Sequence, residues 1–191
     1  MSEQSTKRFK PLRVLLMGSE CTGKTTLGSQ LVEHYQCAFV AEYAREYAEQ
    51  ALPRQLEIQD AILIARGQAK AEQEALRTAT FNKTPLIIID TDARMSWMYS
   101  ELYFDQTDSW IVHRALHKRY DLILFTTPDG ISWQQDSVRP RRDPRFIETS
   151  QLRYLLQMTA HLNEPFLPLS GSKEQRLEKA ILFINTILSN Q

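Results

Sequence analysis

The chain has 191 residues, a length that suits one domain with a sizeable hydrophobic core. With 42% hydrophobic and 24% charged residues it has ordinary globular usage, which excludes a chain disordered throughout. Its 23 basic and 23 acidic residues cancel, which excludes a general electrostatic grip on nucleic acid or an anionic membrane and leaves only local charge clusters to consider.

Residues 1–10 form a polar arm without the apolar core of a signal peptide. Residues 12–17 then read as a buried strand, ended by Gly18. Gly18, Gly23, Lys24 and Thr25 match the pattern G-x-x-x-x-G-K-[ST]. Glycines there permit conformations and close approaches that a side chain would block. The N–H groups of the loop Gly18-Ser19-Glu20-Cys21-Thr22-Gly23 converge on phosphates, aided by the positive end of the next helix, in which Thr26 follows Thr25. Lys24 brings a positive charge to the β- and γ-phosphates, and the Thr25 hydroxyl is a ligand for Mg²⁺. The motif sits between a predicted strand and a predicted helix, residues 24 to about 34, with Leu27, Leu31 and Val32 as its apolar stripe. ATP with Mg²⁺ is the expected ligand. Cys21 is either a small residue filling a loop position or a thiol made reactive by the helix dipole.

Residues 38–41 are a short strand candidate, and Glu42 follows it. In an open parallel sheet the carboxyl ends of the strands line the ligand crevice, so Glu42 is expected at the same edge as the phosphate loop. A carboxylate there can orient or deprotonate an acceptor hydroxyl; alternatively it is a first-turn helix acid facing the dipole. Tyr43 and Arg45 join it as acceptor-side candidates, Arg45 and Glu46 being equally readable as a solvated helix face. From residue 55 to about 79 the pattern is helical, with Leu56, Ile62, Ile64, Ala65 and Ala69 among polar residues.

Residues 85–90 are a continuous apolar run that stops at Asp90, as a strand does when its terminal aspartate helps to hold Mg²⁺. Asp92 lies near the same metal, faces the acceptor, or caps a helix beginning near Ala93. Residues 121–125 form another strand. Residues 132–145 carry two prolines and Arg139, Arg141, Arg142 and Arg145, a polar loop that is either a lid clamping transferred phosphoryl oxygens or a solvated basic segment. A helix over about 144–161, an edge strand over 166–169 marked by Pro168, and a final helix capped by Ser172 complete the chain. Trp97, Trp133 and Tyr43 are the rings available to stack on a heteroaromatic acceptor, or they are packing residues.

Apolar strands alternating with amphipathic helices predict one α/β domain over residues 11–191, a parallel sheet covered on both faces. No run approaches the roughly 18 apolar residues of a membrane span, and Cys21 and Cys37 lack zinc-site or disulfide spacing, which suits a cytoplasmic protein. The expected partner is a small molecule, with neither nucleic acid nor membrane.

The loop Gly18–Thr25 with Thr26-Leu27, the segment Ala41-Glu42-Tyr43-Ala44-Arg45-Glu46-Tyr47, and Asp90-Thr91-Asp92 together resemble the ribosylnicotinamide kinase domain of the NadR-type family. Tyr120-Asp121-Leu122, residues 128–133 and residues 136–139 extend the resemblance over nearly the whole chain, in order. It implies a P-loop kinase fold with a five-stranded parallel sheet in order 2-3-1-4-5, and phosphorylation of the ribose 5′-hydroxyl of nicotinamide riboside by ATP. It further implies Lys24, Thr25 and Asp90 on ATP–Mg²⁺, and Glu42, Tyr43, Arg45 and Asp92 on the acceptor side. Arg139 and its neighbours, Arg142 among them, would form the lid, and Ser170-Gly171 would lie near adenine. The nucleotidyltransferase and helix-turn-helix segments of longer members are expected to be absent.

Overall fold

The computed structural model describes residues 9–51, 53–130, 149–150, 153 and 163–190. The expected lid over about 132–145 lies outside them, as do Trp133 and Arg139 to Arg145, and most of the helix expected over 144–161, of which Thr149, Ser150 and Arg153 are described as helical.

Five strands alternate with helices: β1 (Leu12–Met17), α1 (Lys24–Tyr35), β2 (Ala38–Val40), α2 (Tyr43–Ala51), α3 (Ile58–Asn82), β3 (Leu86–Asp90), α4 (Ala93–Phe104), α5 (Ser109–His117), β4 (Leu122–Thr126), β5 (Phe166–Leu169) and α6 (Lys173–Leu188). The strands form one wholly parallel sheet in order β2-β3-β1-β4-β5. The strand order and the wholly parallel sheet are those the sequence led us to expect.

Burial on both faces is why β1, β3 and β4 are near-continuous apolar runs, not alternating ones. One face, Leu12, Val14, Leu16, Leu86, Ile88, Leu122 and Leu124, packs against Leu27 and Leu31 of α1 and Ala180 and Ile184 of α6. The other, Leu15, Met17, Val40, Ile87, Ile89, Ile123 and Phe125, packs against Ala79 of α3 and Met95 and Met98 of α4. β5 is an edge strand, and Pro168 faces outward in it. Ser172 caps α6 within a capping box completed by Gln175.

Two helices depart from the apolar periodicity. The buried side of α3 carries Asp60, Gln68 and Glu72 beside Ala65 and Ala79, while Leu56 precedes the helix and is exposed. α2 has no fully buried residue, so packing alone does not hold it. Its last turns are tied to the start of α3 instead. Tyr47 donates its hydroxyl to Asp60 (2.8 Å), and Asp60 also accepts from Arg54 at 2.7 and 2.9 Å and from the Glu57 N–H. The Arg54 hydrogen bonds, with those from Glu57 and Tyr47, hold the Asp60 carboxyl well below the usual aspartate range despite its burial. A depressed folded pKa gives stability that is present above the unfolded value of about 3.9 and lost as pH falls from there through the lower folded value. Asp60→Asn is therefore expected to lower the thermal midpoint at neutral pH, with the gap to the parent chain closing as the scan is repeated from about pH 5 downward.

Candidate functional site

The turn after β1 is shaped by contacts that exclude larger residues. Gly18 has φ 143°, and a Cβ there would lie 2.3 Å from the Thr126 carbonyl oxygen, so only glycine lets the loop cross the end of β4. Thr22 donates to the Ser19 carbonyl (2.9 Å), and its hydroxyl lies 2.7 Å from that of Thr126, which donates to the Met17 carbonyl (3.1 Å). Cys21 is in the left-handed region at φ 59°, and Gly23 at φ 81° opens α1. Lys24 is buried, its Nζ donating to the carbonyls of Gly18 (3.0 Å) and Ser19 (2.8 Å) across the loop. Glu20 is half-buried, and Thr25 and Thr26 are exposed at the head of α1, where the unpaired N–H groups and dipole favour an anion.

The parallel register brings the other strand ends to the same edge. Leu16 pairs with Asp90 and Val40 with Ile89, so β1, β3 and β2 finish at one level. There the Thr25 hydroxyl donates to Asp90 Oδ2 at 2.9 Å, bridging 65 residues of chain. A hydroxyl and a carboxylate oxygen held together, beside a loop built for phosphate, are hard-oxygen donors in the small number that Mg²⁺ takes from protein when phosphates and water supply the rest. Among the described residues no group of three or more His, Cys, Asp or Glu forms an all-protein metal cage. Thr91, between the two aspartates, has φ 69°. For a β-branched residue this costs about 1–3 kcal/mol and persists only where the surroundings enforce it.

On the side of β2, Glu42 is half-buried and immediately precedes α2. A cavity of about 310 Å³ beside the end of β2 is lined by Val40, Ala41, Glu42, Tyr43, Arg45 and Ala71, among others. Tyr43 turns its ring onto Gly67 of α3 and donates its backbone N–H to Gln68 Oε1 (2.8 Å). Arg45 is exposed. A larger groove of about 520 Å³ runs along α1 past Val32, Cys37 and Phe39, without any residue of the phosphate loop in its lining. Burial pushes the Cys37 thiol there up to about 11, so it is a poor nucleophile at neutral pH. Trp97, half-buried on α4, donates its indole N–H to Glu101 one turn along.

Asp92 differs from Glu42 in burial. It is the N-cap of α4, accepting from the Arg94 N–H at 3.0 Å, and is buried with its second oxygen 3.7 Å from the Arg94 guanidinium. Arg94 in turn donates to Glu164 and to the carbonyls of Ala115 (3.2 Å) and Lys118 (2.8 Å). Glu72, paired with Arg114 and Lys118, accepts from the Tyr120 hydroxyl (3.3 Å) in the same cluster. Burial pushes the Asp92 carboxyl above its usual range, with Arg94 pulling the other way. Of the readings open to Asp92, helix cap is the one its contacts describe.

At the far end of the edge, Gly171 follows β5 and Ser170, and its N–H donates to the Asp129 carbonyl (3.1 Å). The sequence offered no role for Arg176, yet it organises this corner. Buried on α6, its guanidinium donates to the carbonyls of Gly171 (2.8 Å), Thr22 (2.9 Å), Thr127 (2.9 Å) and Asp129 (2.5 Å). The one available signal was an arginine in the first turn of a helix, where the dipole disfavours it. Arg176→Ala removes a donor from four carbonyls, of which that of Asp129 keeps the Gly171 N–H, and is expected to cost roughly 2–4 kcal/mol in chemical denaturation. Because Thr22 belongs to the phosphate loop, the variant is also expected to bind ATP more weakly in equilibrium titration.

A family model described as an AAA domain matches residues 13–176. A search of curated proteins finds no match. Among solved structures, the chain is similar to NadR protein in complex with NR, with a TM-score of 0.77 and 24% identity over 95% of this chain and 53% of that one. It is also similar to NadR protein in complex with NAD and AMP-PNP, with a TM-score of 0.73 and 25% identity over 95% of this chain and 51% of that one. Deoxyadenosine kinase from M. mycoides with bound dATP shares the fold at a TM-score of 0.61 and 16% identity, over 91% of this chain and 99% of that one. The chain thus spans about half the length of the NadR chains it resembles.

Proposed function

The chain belongs to the AAA-domain family, and on that premise we propose that it is an ATP-dependent small-molecule kinase whose acceptor is the ribose 5′-hydroxyl of nicotinamide riboside, giving nicotinamide mononucleotide. The observation that carries the reading is the Thr25–Asp90 hydrogen bond at the sheet edge that also presents Glu42 and its cavity. Phosphate donor and hydroxyl acceptor can meet there. A cavity of about 310 Å³ is at the lower end of the sizes that enclose small organic ligands.

The loop N–H groups and the head of α1 bind the triphosphate, and Lys24 turns from the Gly18 and Ser19 carbonyls to the β- and γ-phosphates. Thr25 and Asp90 hold Mg²⁺, which when bound offsets phosphate charge. Glu42 accepts the proton of the acceptor hydroxyl as its oxygen attacks the γ-phosphorus in line with the departing ADP oxygen. Tyr43, Arg45, Trp97 and Trp133 are assigned to the acceptor, Ser170 and Gly171 to the adenine side, and Arg139 and Arg142 to the transferring oxygens. Asp92 acts by holding α4 in place. The likeness to NadR structures, one with NR and one with AMP-PNP, supports both halves of the reading.

The test is incubation with Mg-ATP and a panel of ribosides, followed by mass spectrometry of the products. Nicotinamide riboside is expected to gain one phosphoryl group fastest. Faster turnover of a purine or pyrimidine nucleoside would reassign the acceptor, and no product from any riboside despite tight ATP binding would overturn the kinase reading in favour of a regulatory ATP-binding module.

A further inference from the structure

α2 carries the acceptor-side residues but buries none of its own fully, and the sheet does not fix where it sits. One side chain joins it to the metal side. Gln68 is 4% exposed, and uses both ends of its amide. Oε1 accepts from the Tyr43 N–H at 2.8 Å, at the first residue of α2. Nε2 donates to the Asp90 carbonyl at 3.2 Å and the Thr91 carbonyl at 3.3 Å. It therefore grips the main chain of the aspartate that pairs with Thr25, and the left-handed Thr91 beside it. Gly67, the residue before it, is equally specific. A Cβ at that position would lie 2.1 Å from the Tyr43 ring, so the ring seats in a notch of α3 that only glycine leaves open.

We propose that Gln68, with the Gly67 notch, is the positioning element that sets the placement of Glu42 relative to the Thr25–Asp90 pair. The chemistry requires an amide. A glutamate accepts from Tyr43 equally well but offers no donor to two carbonyls when ionised, and an apolar side chain does neither. Glu42 precedes the anchored Tyr43, and Asp90 precedes the anchored Thr91. One buried amide thus fixes the main chain next to both carboxylates, and displacements of the order of 1 Å at such a distance reduce transfer by about 100-fold. The strained Thr91 is held by the same donor, which accounts for how a β-branched residue stays in that conformation.

The proposal rests on the kinase reading in that Glu42 and Asp90 serve one reaction, and the two are separable by experiment. Two variants break the link from opposite sides. Gln68→Glu releases Asp90 and Thr91 while keeping the bond to Tyr43. Gly67→Ala pushes the Tyr43 ring, and with it α2, while raising helix preference in α3. Each is assayed per folded molecule for three quantities: affinity for a fluorescent ATP analogue in EDTA, the Mg²⁺ concentration that half-saturates Mg-dependent nucleotide binding, and kcat with its acceptor KM.

Q68E is expected to leave the EDTA affinity unchanged, because the Gln68 amide bonds to Tyr43, Asp90 and Thr91 and its role lies with the metal-side carboxylate. It should raise the Mg²⁺ requirement by roughly tenfold, the usual effect of removing an outer support of a metal ligand. Its kcat should fall by about 100-fold. G67A should leave both nucleotide quantities unchanged and lower kcat while raising the acceptor KM. A Q68E chain with the parent's Mg²⁺ requirement overturns the proposal. So does equal loss of nucleotide affinity with and without Mg²⁺, the mark of general damage. If the parent chain phosphorylates no riboside, the kinase reading falls, and the Mg²⁺ requirement alone decides the role of Gln68. Should Q68E fail to fold, Gln68→Met, which keeps the length without a buried charge, replaces it in the same measurements.

Discussion

Lys24→Met is expected to lower phosphoryl transfer from ATP by on the order of a thousandfold or more, the scale seen when a positioned cation is removed from a transferring phosphoryl group. The side chain lies at the centre of the loop, its charge satisfied by the carbonyls of Gly18 and Ser19. Methionine keeps the length and loses the charge. The Gly18 carbonyl then loses its lysine donor while that of Ser19 keeps the Thr22 hydroxyl, at a cost of about 1–3 kcal/mol, which for a domain of this size is a drop of roughly 2–12 °C in thermal midpoint. Activity and midpoint are therefore measured together, with the assay run well below the transition. A folded variant that keeps more than about a tenth of the parent's rate would sink the mechanism.

Glu42→Gln is expected to lower the single-turnover rate by about 10²–10⁴-fold, the range of a general base, with ATP affinity unaltered. The amide is isosteric, keeps one acceptor oxygen and replaces the other with a donor, and loses the ability to take a proton. Asp92→Asn is the natural companion. Asparagine caps a helix as well as aspartate does, but it removes the negative charge beside the buried Arg94. Its expected effect is a lower midpoint with chemistry nearly intact. The opposite pattern, Glu42→Gln nearly silent and Asp92→Asn slow but stable, would transfer the base to Asp92.

What the sequence could say about these two carboxylates differs for a physical reason. Glu42 and Asp92 are both acids just beyond apolar strands, and each has a helix-end reading. Only the packing separates them: Asp92 is buried with Arg94 of α4 against it and Glu72 of α3 and Tyr120 close enough to act on its charge, whereas Glu42 borders an open cavity. Local pattern carries no information on which side of a strand end is covered. Tyr43 shows the same limit. A tyrosine near an acceptor pocket reads as a stacking ring, and the structure seats it on Gly67, a contact set 24 residues along the chain and invisible to periodicity.

The phosphate loop was legible because its requirements are local. Glycines at 18 and 23, a lysine and a hydroxyl at consecutive positions, and a strand and helix on either side are all encoded within 25 residues. The parallel sheet was legible because strands buried on both faces must be continuous apolar runs, as β1, β3 and β4 are. α3 is the contrary case. Its buried face contains Asp60, Gln68 and Glu72, so an apolar stripe does not mark it. Those residues are inside because each meets a specific partner from a distant segment, and a polar group can be buried only when such a partner exists. The sequence by itself determined where the glycine loop lies between its strand and helix and which way the sheet runs, since both follow from backbone geometry and apolar burial. Tertiary structure alone decided how α2 is held against β3 and how the loop after β5 is held against the phosphate loop, since these depend on the buried hydrogen bonds of Gln68 and Arg176 to carbonyls that no side-chain pattern reveals.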